Sequence, residues 1–460
     1  MLSIDDDGFD EDAIKARVER QIEALGAPMY EIFMETGASL SIDLERGSLK
    51  NAEIGKDSGI GLRVANKLGQ SAFSYTSQTD AQSIEKMVKN AISIMQMATP
   101  DPDFKSFANK AAIINLPGRV VFDPAIERIT IDDAVQLVNG ALESARSNPD
   151  PRVYSVNVSF KASCTRISLF NSNGIDAREK QSDAILTCDV TVKDGGEMSS
   201  DYDFTSGRDL QRISVDVGAK ATGLALKTLG KVKIKTGFYP VVLGTRAVGT
   251  VLAGAIASGI NAELVQQGMS FLGEKVGKAI APDHFSLVDD PRLENGSRVL
   301  SCSFDGEGFP TRRKAIVDAG MLETLLHNSY TANKAGVENT GNAVRSGYTS
   351  PPRISHFNLV VQPRRDHVVH DLYNGIKRGI YFDQTYDSPN MATGDFSGMI
   401  SSGFLIEDGT ITSPINQATF GVNLLDLFNS IEAYGDKVDD RAGIISPAIR
   451  LKGMHVSGNL

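Results

Sequence analysis

The sequence predicts an α+β protein: a duplicated helix–sheet–helix α/β module first, then a mainly β region with a few helices. Three observations carry this. A chain of 460 residues is too long for one ordinary core, so two or three domains are expected. The order helix, strands, helix runs twice before residue 230. After KVKIKTGFYPVVLG the glycine density rises, helices become few and short strands dominate to the end. The predicted division is 1–236 and 237–460, with repeats at about 9–98 and 132–230 and a linker over 99–131.

The first element is a helix over 10–25, where Ile14, Val18, Ile22 and Leu25 recur on one face. The alternating runs MYEIFMET, SLSIDLERG, SLKNAEIGKD, SGIGLRVAN and KLGQSAFSYTS follow, and the Gly, Asn-Lys and Lys-Asp-Ser pieces that punctuate them predict five strands. A helix over 80–98 has Asp80 as its N-cap. The Pro-punctuated stretch 101–130 connects the units across the surface. The second unit repeats the order: a helix over 132–147, five strand-like runs from VYSVNVSFKAS to GEMSSDYDFTS, and a helix over 209–229. This is one duplication, not a short-period solenoid. The β-rich part opens with the strand-like run YPVVLG (239–244) and a helix over 245–262.

Composition excludes several functions. Hydrophobic content of 41% and charged content of 23% are ordinary for a globular chain. A net charge of −10 argues against nucleic acid as a partner, because phosphate contacts need clustered Lys and Arg. KVKIK (231–235) and the pair Arg312–Arg313 are short and read as surface. Cys164, Cys188 and Cys302 are odd in number and widely spaced, which argues against a disulfide framework or a cysteine-built zinc site. The N-terminus MLSIDDDGFDEDAIK is acidic where a signal peptide would be basic, and no apolar run reaches the roughly 18 residues of a membrane helix. A cytoplasmic location without a membrane partner is expected.

The stretch VLAGAIASGINAEL (251–264) raises the functional question, since Glu263 is its one charge and small residues fill it. Gly254 with Ser258, and Ala253 with Ala257, stand four apart, so another backbone could approach the helix closely. The segment YPVVLGTRAVGTVLAGAIASGINAELVQQGMSFLGEKVGKAIAPDHFSLVDDP resembles the central part of the TldD/PmbA (TldE) proteins, also called modulators of DNA gyrase. Residues 303–336, 340–361 and 394–428 agree in order, spacing and turn residues, so the resemblance covers essentially the whole second domain.

In the TldD half of that family the helix carries H-E-x-x-x-H, two histidines for zinc and a glutamate that activates water. The resemblance sets those positions at Ala253, Gly254 and Ser258, whose methyl, hydrogen and hydroxyl replace neither imidazole nor carboxylate. The family's further cysteine ligand also lacks a counterpart, since no cysteine follows Cys302 and VDDRAGIISPAIRLKGMHVSG takes a shorter route. The resemblance therefore implies the PmbA/TldE type: no cofactor in this chain, and zinc expected in a TldD-like partner. It also places Asp305, Glu307, Thr340, Asn342, Arg345 and Arg353 beside a peptide groove; turn chemistry at Gly306 and Gly308 is the plainer reading of the loop.

Other chemistry is weaker. In DHVVHD (366–371), His367 and His370 stand three apart, but the segment reads as an exposed helix start. His284, His327, His356 and His455 sit in strand-like contexts and read as structural. No G-x-S-x-G occurs, and GDFSG (394–398) reads as a turn feeding a strand. The resemblance implies a catalytically silent subunit of a two-component peptide-processing metalloprotease, which helps form the cavity and holds an extended peptide. The alternative is a stand-alone homodimeric peptide-binding or regulatory protein, and a hydrolase using other residues is a third reading.

Overall fold

The structure is a computed structural model that describes residues 2–4, 9–440 and 443–460. Part of the acidic N-terminal run (Met1 and residues 5–8) and Arg441 and Ala442 of VDDRAG lie outside the described residues. The first half builds one six-stranded antiparallel sheet in the order β3-β2-β1-β4-β5-β6, from β1 (Met29–Glu45), β2 (Ser48–Ala65), β3 (Ser71–Thr76), β4 (Val153–Asn171), β5 (Asp176–Asp194) and β6 (Glu197–Gly207). Each unit contributes three strands, not five, and the last of the first unit is short. MYEIFMET and SLSIDLERG form one strand of 17 residues, because Gly37 stays in the ladder opposite Asp57 and Thr165. The chain reverses at Arg46–Gly47, where φ is 52° and 79°, the two-residue hairpin geometry that matches strand twist. The two units meet edge to edge through β1 and β4.

The helices cover one face of this sheet. Ile32 and Met34 of β1 pack with Ile14, Val18 and Val88 of helices Glu11–Leu25 and Ala81–Met97. Leu40 and Ile42, of the same parity, pack with Val138 and Val217 of helices Ile131–Arg146 and Val217–Lys227. Asp80 caps its helix by accepting the N–H groups of Gln82 and Ser83, as the sequence predicts. The helix expected over 209–229 is shorter. A single turn at Leu210–Arg212 precedes it, and the β-branched run around Ile213 and Val215 delays helix formation to Val217.

The opposite face of β1, through Glu31, Phe33 and Glu35, meets the second half of the chain. Glycine permits this approach: a Cβ at Gly59 of β2 would lie 2.2 Å from the Tyr348 ring, and one at Gly61 2.6 Å from the Tyr348 carbonyl oxygen. The Tyr348 hydroxyl donates to Asp57 at 2.9 Å.

The second half forms a 13-stranded mixed sheet. Strand β7 (Gly237–Leu243) lies inside it, parallel to Arg378–Gln384 and antiparallel to Ile444–Ser457; Thr410–Pro414 is an edge strand. The helix expected over 245–262 is interrupted. It runs as α-helix over Thr245–Ala247, as π-helix over Val248–Ala253 and as α-helix again over Gly254–Gly259, and a separate turn follows at Ala262–Gln266. The Gly254 N–H reaches back five residues to the Gly249 carbonyl.

DHVVHD is not a helix start. Arg365–His367 makes one 3-10 turn, and Val368–Val369 then pairs with Tyr434 and Gly435, because two β-branched residues complete a ladder there. Cys164, Cys188 and Cys302 are buried as free thiols. Among the described residues no helix is long and apolar enough to cross a membrane.

Candidate functional site

The three positions singled out on the helix after β7 differ in their surroundings. Ala253 is wholly buried in the core of the second sheet, Gly254 is half-buried and Ser258 is exposed. The accessible line of the helix is Thr250, Gly254 and Ser258, spaced four apart. At Gly254 the close backbone is the helix's own preceding turn: a Cβ there would lie 2.7 Å from the Gly249 carbonyl oxygen. None of the three side chains offers a nitrogen, thiolate or carboxylate, so this donor set does not fit zinc. Among the described residues no group of three or more His, Cys, Asp or Glu is placed to hold a metal ion.

Of the six groove candidates, five are buried and engaged within the chain. Asp305 accepts the N–H groups of Glu307 at 2.9 Å, Phe309 at 3.0 Å and Ala343 at 3.0 Å, which closes the loop around Gly308 (φ 74°). Burial and the neighbouring Glu307 charge push its carboxyl up to about 8, against the pull of those three N–H groups. Glu307 pairs with Arg63 at 3.1 Å and accepts the Ser329 N–H. The Arg345 side chain, 3% exposed, donates to the carbonyls of Gly306 and Ser350 and pairs with Glu31. Arg63 closes the group by pairing with Glu31 at 3.2 Å.

Two glutamates and two arginines thus form a charge-balanced cluster between β1–β2 and the loops of the second half. Thr340 accepts the His327 N–H at 2.7 Å, and Asn342 donates to Asp289 and to the Ser355 carbonyl at 2.9 Å each. Arg353, on the short strand Arg353–Ile354, is exposed. Glu307, Thr340 and Asn342 are held by turn bonds and by bonds between the two halves; Asp305 and Arg345 are bonded in the same way and also line a cavity of 310 Å³ with Phe33, Glu35 and Ser346.

A larger concave surface lies elsewhere. A cavity of 730 Å³ opens between the edge strand β6 and the edge strand Thr410–Pro414. Cavities of 220 Å³ and 460 Å³ share lining residues with it, the first also bordered by Gly249 and Thr250 and the second by Thr205 and Ser206. Arg246, in the first turn of the interrupted helix, forms its floor. Its guanidinium donates to Asp201 of β6 at 2.8 Å and pairs with Asp383 of strand Arg378–Gln384, and it lies 5.5 Å from the Tyr202 ring centre. Burial lowers the Arg246 pKa, but the two carboxylates outweigh it and the net shift is upward.

Sequence reading passed over this triad, because its members are 45 and 137 residues from Arg246. The available signal was aspartate within strand-like runs that carry aromatics, Asp201 and Asp203 in SSDYDFTS and Asp383 in YFDQT.

His367 and His370 do not converge. His367 stacks on His284 with ring centres 3.9 Å apart, and its Nδ1 is 3.0 Å from Asp366. His370, 90% exposed, meets Asp436. His367 is therefore not a plain solvated residue. Ser397 of GDFSG sits on strand Asp395–Met399 after a turn at Gly394 (φ 76°).

Comparison with known proteins covers both halves. Residues 30–95 match the PmbA/TldA metallopeptidase domain 1, residues 124–229 the central domain and residues 236–458 the C-terminal domain. Metalloprotease PmbA of Escherichia coli O157:H7 is 26% identical, over 93% of this chain and 92% of its own length. A metalloprotease TldD homolog of Buchnera aphidicola subsp. Acyrthosiphon pisum is also 26% identical, over 94% and 92%. TldE from Thermococcus kodakarensis has the same fold, with a TM-score of 0.85 over 97% of this chain and 100% of that one, at 19% identity. A protein from Bacteroides thetaiotaomicron described as a modulator of DNA gyrase gives 0.86 over 97% and 99%, at 25% identity. With all three domains matched in chain order and relatives aligned over nearly their full length, the chain belongs to the PmbA/TldD metallopeptidase family.

Proposed function

We propose that this chain is the PmbA/TldE-like subunit of a two-component zinc metalloprotease that processes peptides, and that it is itself catalytically silent. A TldD-like partner carrying H-E-x-x-x-H brings the zinc, whose role when bound is to activate water. This chain supplies walls of the peptide cavity and holds an extended substrate. The observation that carries the reading is the donor-free set at Ala253, Gly254 and Ser258: two of the three are hydrogen or methyl, and Ala253 is wholly buried. That TldD-type and PmbA-type relatives both align along nearly the whole chain supports a pairing of like-folded subunits.

The test is purification of the tagged chain from its native cells, followed by elemental analysis and a casein or short-peptide assay. The expected result is well under one zinc per protomer for the chain alone, no cleavage, and cleavage once a co-purifying chain with H-E-x-x-x-H is present. A stoichiometric zinc that survives dialysis of the isolated chain would overturn the proposal. Full activity of the chain alone would also overturn it.

A further inference from the structure

The 310 Å³ cavity in the seam between the two halves shares no lining residue with the groove beside β6. β1 brings Phe33 and Glu35 to it, and loops of the second half close it with Phe304, Arg345, His356 and Phe357. Every second residue of a strand points to the same face, so Glu31, Phe33 and Glu35 all turn toward the second half. Glu31 is paired with Arg63 and Arg345, but Glu35 has no counter-ion. Among the described residues it forms no ion pair. The Tyr348 N–H donates to its Oε2 at 3.1 Å, and its Oε1 accepts nothing. Gly347, at φ 135°, lets the loop close on this carboxylate, since a Cβ there would lie 3.1 Å from Oε2. Burial first, and then the charge of Asp57, raise the Glu35 pKa against the pull of the Tyr348 N–H and Arg345.

The other lining groups specify what enters. An anion finds no grip. Arg208 is buried in the wall, but its five N–H groups donate to the carbonyls of Val121, Ser182, Arg298 and Val299 and to the Gln181 side chain. Arg345 is held by Glu31 and by the carbonyls of Gly306 and Ser350. The donor set does not suit a divalent metal either, because no three His, Cys, Asp or Glu converge among the described residues. A lone carboxylate beside the rings of Phe33, Phe304 and Phe357 suits an organic ammonium, whose N–H groups reach the free oxygen and whose charge is attracted to aromatic faces. Burial holds the His356 pKa below 6.5, so this ring adds no competing positive charge at neutral pH. A volume of 310 Å³ stands at the small end of ligand sites, so the ligand is compact.

We propose that this cavity binds a primary ammonium group carried on a compact apolar skeleton. The ammonium meets Oε1 of Glu35, and the skeleton lies among Phe33, Phe304 and Phe357. A free amine and the first residue of a polypeptide share this chemistry. The ligand touches both halves of the chain, so its binding stabilises their docking. The site goes beyond the subunit reading and does not rest on it, since no lining residue belongs to the helix after β7.

The test is isothermal titration calorimetry of the full isolated chain with leucinamide and with leucyl-seryl-alanine amide. Saturable binding of at least one is expected: leucinamide alone marks a free amine, the tripeptide alone marks a chain terminus, and both together show that the terminal residue suffices. Isocaproamide, which is leucinamide without its ammonium, and the N-acetylated tripeptide bind at least about tenfold more weakly, the weight of a hydrogen bond to a charged group. Glycinamide, which keeps the ammonium and lacks the apolar skeleton, also loses about tenfold. Glu35→Gln keeps an acceptor for the Tyr348 N–H and removes the charge. Its circular dichroism is unchanged, and it binds leucinamide or the tripeptide at least about tenfold more weakly. The ligand-side changes give the same readout without altering the protein at all. Absent saturation by either ligand up to about 10 mM, equal affinity for the amines and their ammonium-free counterparts, or undiminished binding to folded Glu35→Gln would each overturn the site. None of these outcomes touches the zinc content of the isolated chain, so the silent-subunit reading fails or stands by its own test.

Discussion

Replacing Arg345 by methionine tests whether the former groove candidates hold the protein together. The side chain is 3% exposed and its partner Glu31 is wholly buried. Together with Arg63 and Glu307 they form a group of two cations and two anions, so removing Arg345 leaves one uncompensated negative charge away from water. Breaking a buried pair from one side costs about 3–5 kcal/mol. The carbonyls of Gly306 and Ser350 also lose their guanidinium donors, and the cation resting 4.7 Å over the Phe33 ring is gone. Urea denaturation followed by circular dichroism is the assay. The expected loss is about 3–5 kcal/mol for Arg345→Met. Adding Glu31→Gln removes the orphaned charge and returns a large part of that loss. Stability unchanged within about 1 kcal/mol, with peptide binding reduced, would refute this reasoning and return Arg345 to the groove.

Three further outcomes are expected. Gly254→Leu forces a Cβ to within 2.7 Å of the Gly249 carbonyl and should lower stability by about 1–3 kcal/mol in the same denaturation assay. Ala253→His with Gly254→Glu and Ser258→His restores ligand types but places one imidazole in a wholly buried position, so a peptide-cleavage assay should detect no activity and elemental analysis no stoichiometric zinc. Burial, then the positive charge of stacked His367, holds the His284 pKa below its ordinary 6.5. The unfolded chain therefore binds more protons at this site, so its contribution to stability is intact above 6.5 and is lost as pH falls below it. His284→Gln should flatten the change in urea midpoint between pH 7 and pH 5, and an unchanged slope would show that the stacked pair carries none of it.

Local signals survived folding where the physics is local. Asp80 caps a helix because its carboxylate reaches N–H groups two and three residues ahead, and the apolar period of Ile14, Val18 and Ile22 marks the buried face of a helix. Strand counts failed because short polar or small stretches were read as punctuation, whereas Gly37, Lys56–Asp57–Ser58, Ser163–Cys164 and Ala184–Ile185 all stay in their ladders. Gly37, Gly59 and Gly61 sit inside ladders, and the last two are glycine so that Tyr348, nearly three hundred residues on, can lie against the sheet. The DHVVHD segment failed for a related reason: a ladder with Tyr434 and Gly435 decides its backbone, and no nearby residue reports that ladder.

The sequence by itself determined the family, the repeated order of helices and strands, and the lack of ligating side chains at Ala253, Gly254 and Ser258, because these depend on residue type and spacing alone. Tertiary structure decided which polar residues are available. Asp305, Glu307 and Arg345 are buried by the docking of the first sheet against the second half, whereas Arg246, Asp201 and Asp383, unremarkable in the chain, meet at the floor of an open groove. Burial and pairing are set by contacts between residues far apart in sequence. A side chain's charge can be read from its letter, but whether that charge faces a ligand or a buried partner is settled when the two sheets come together.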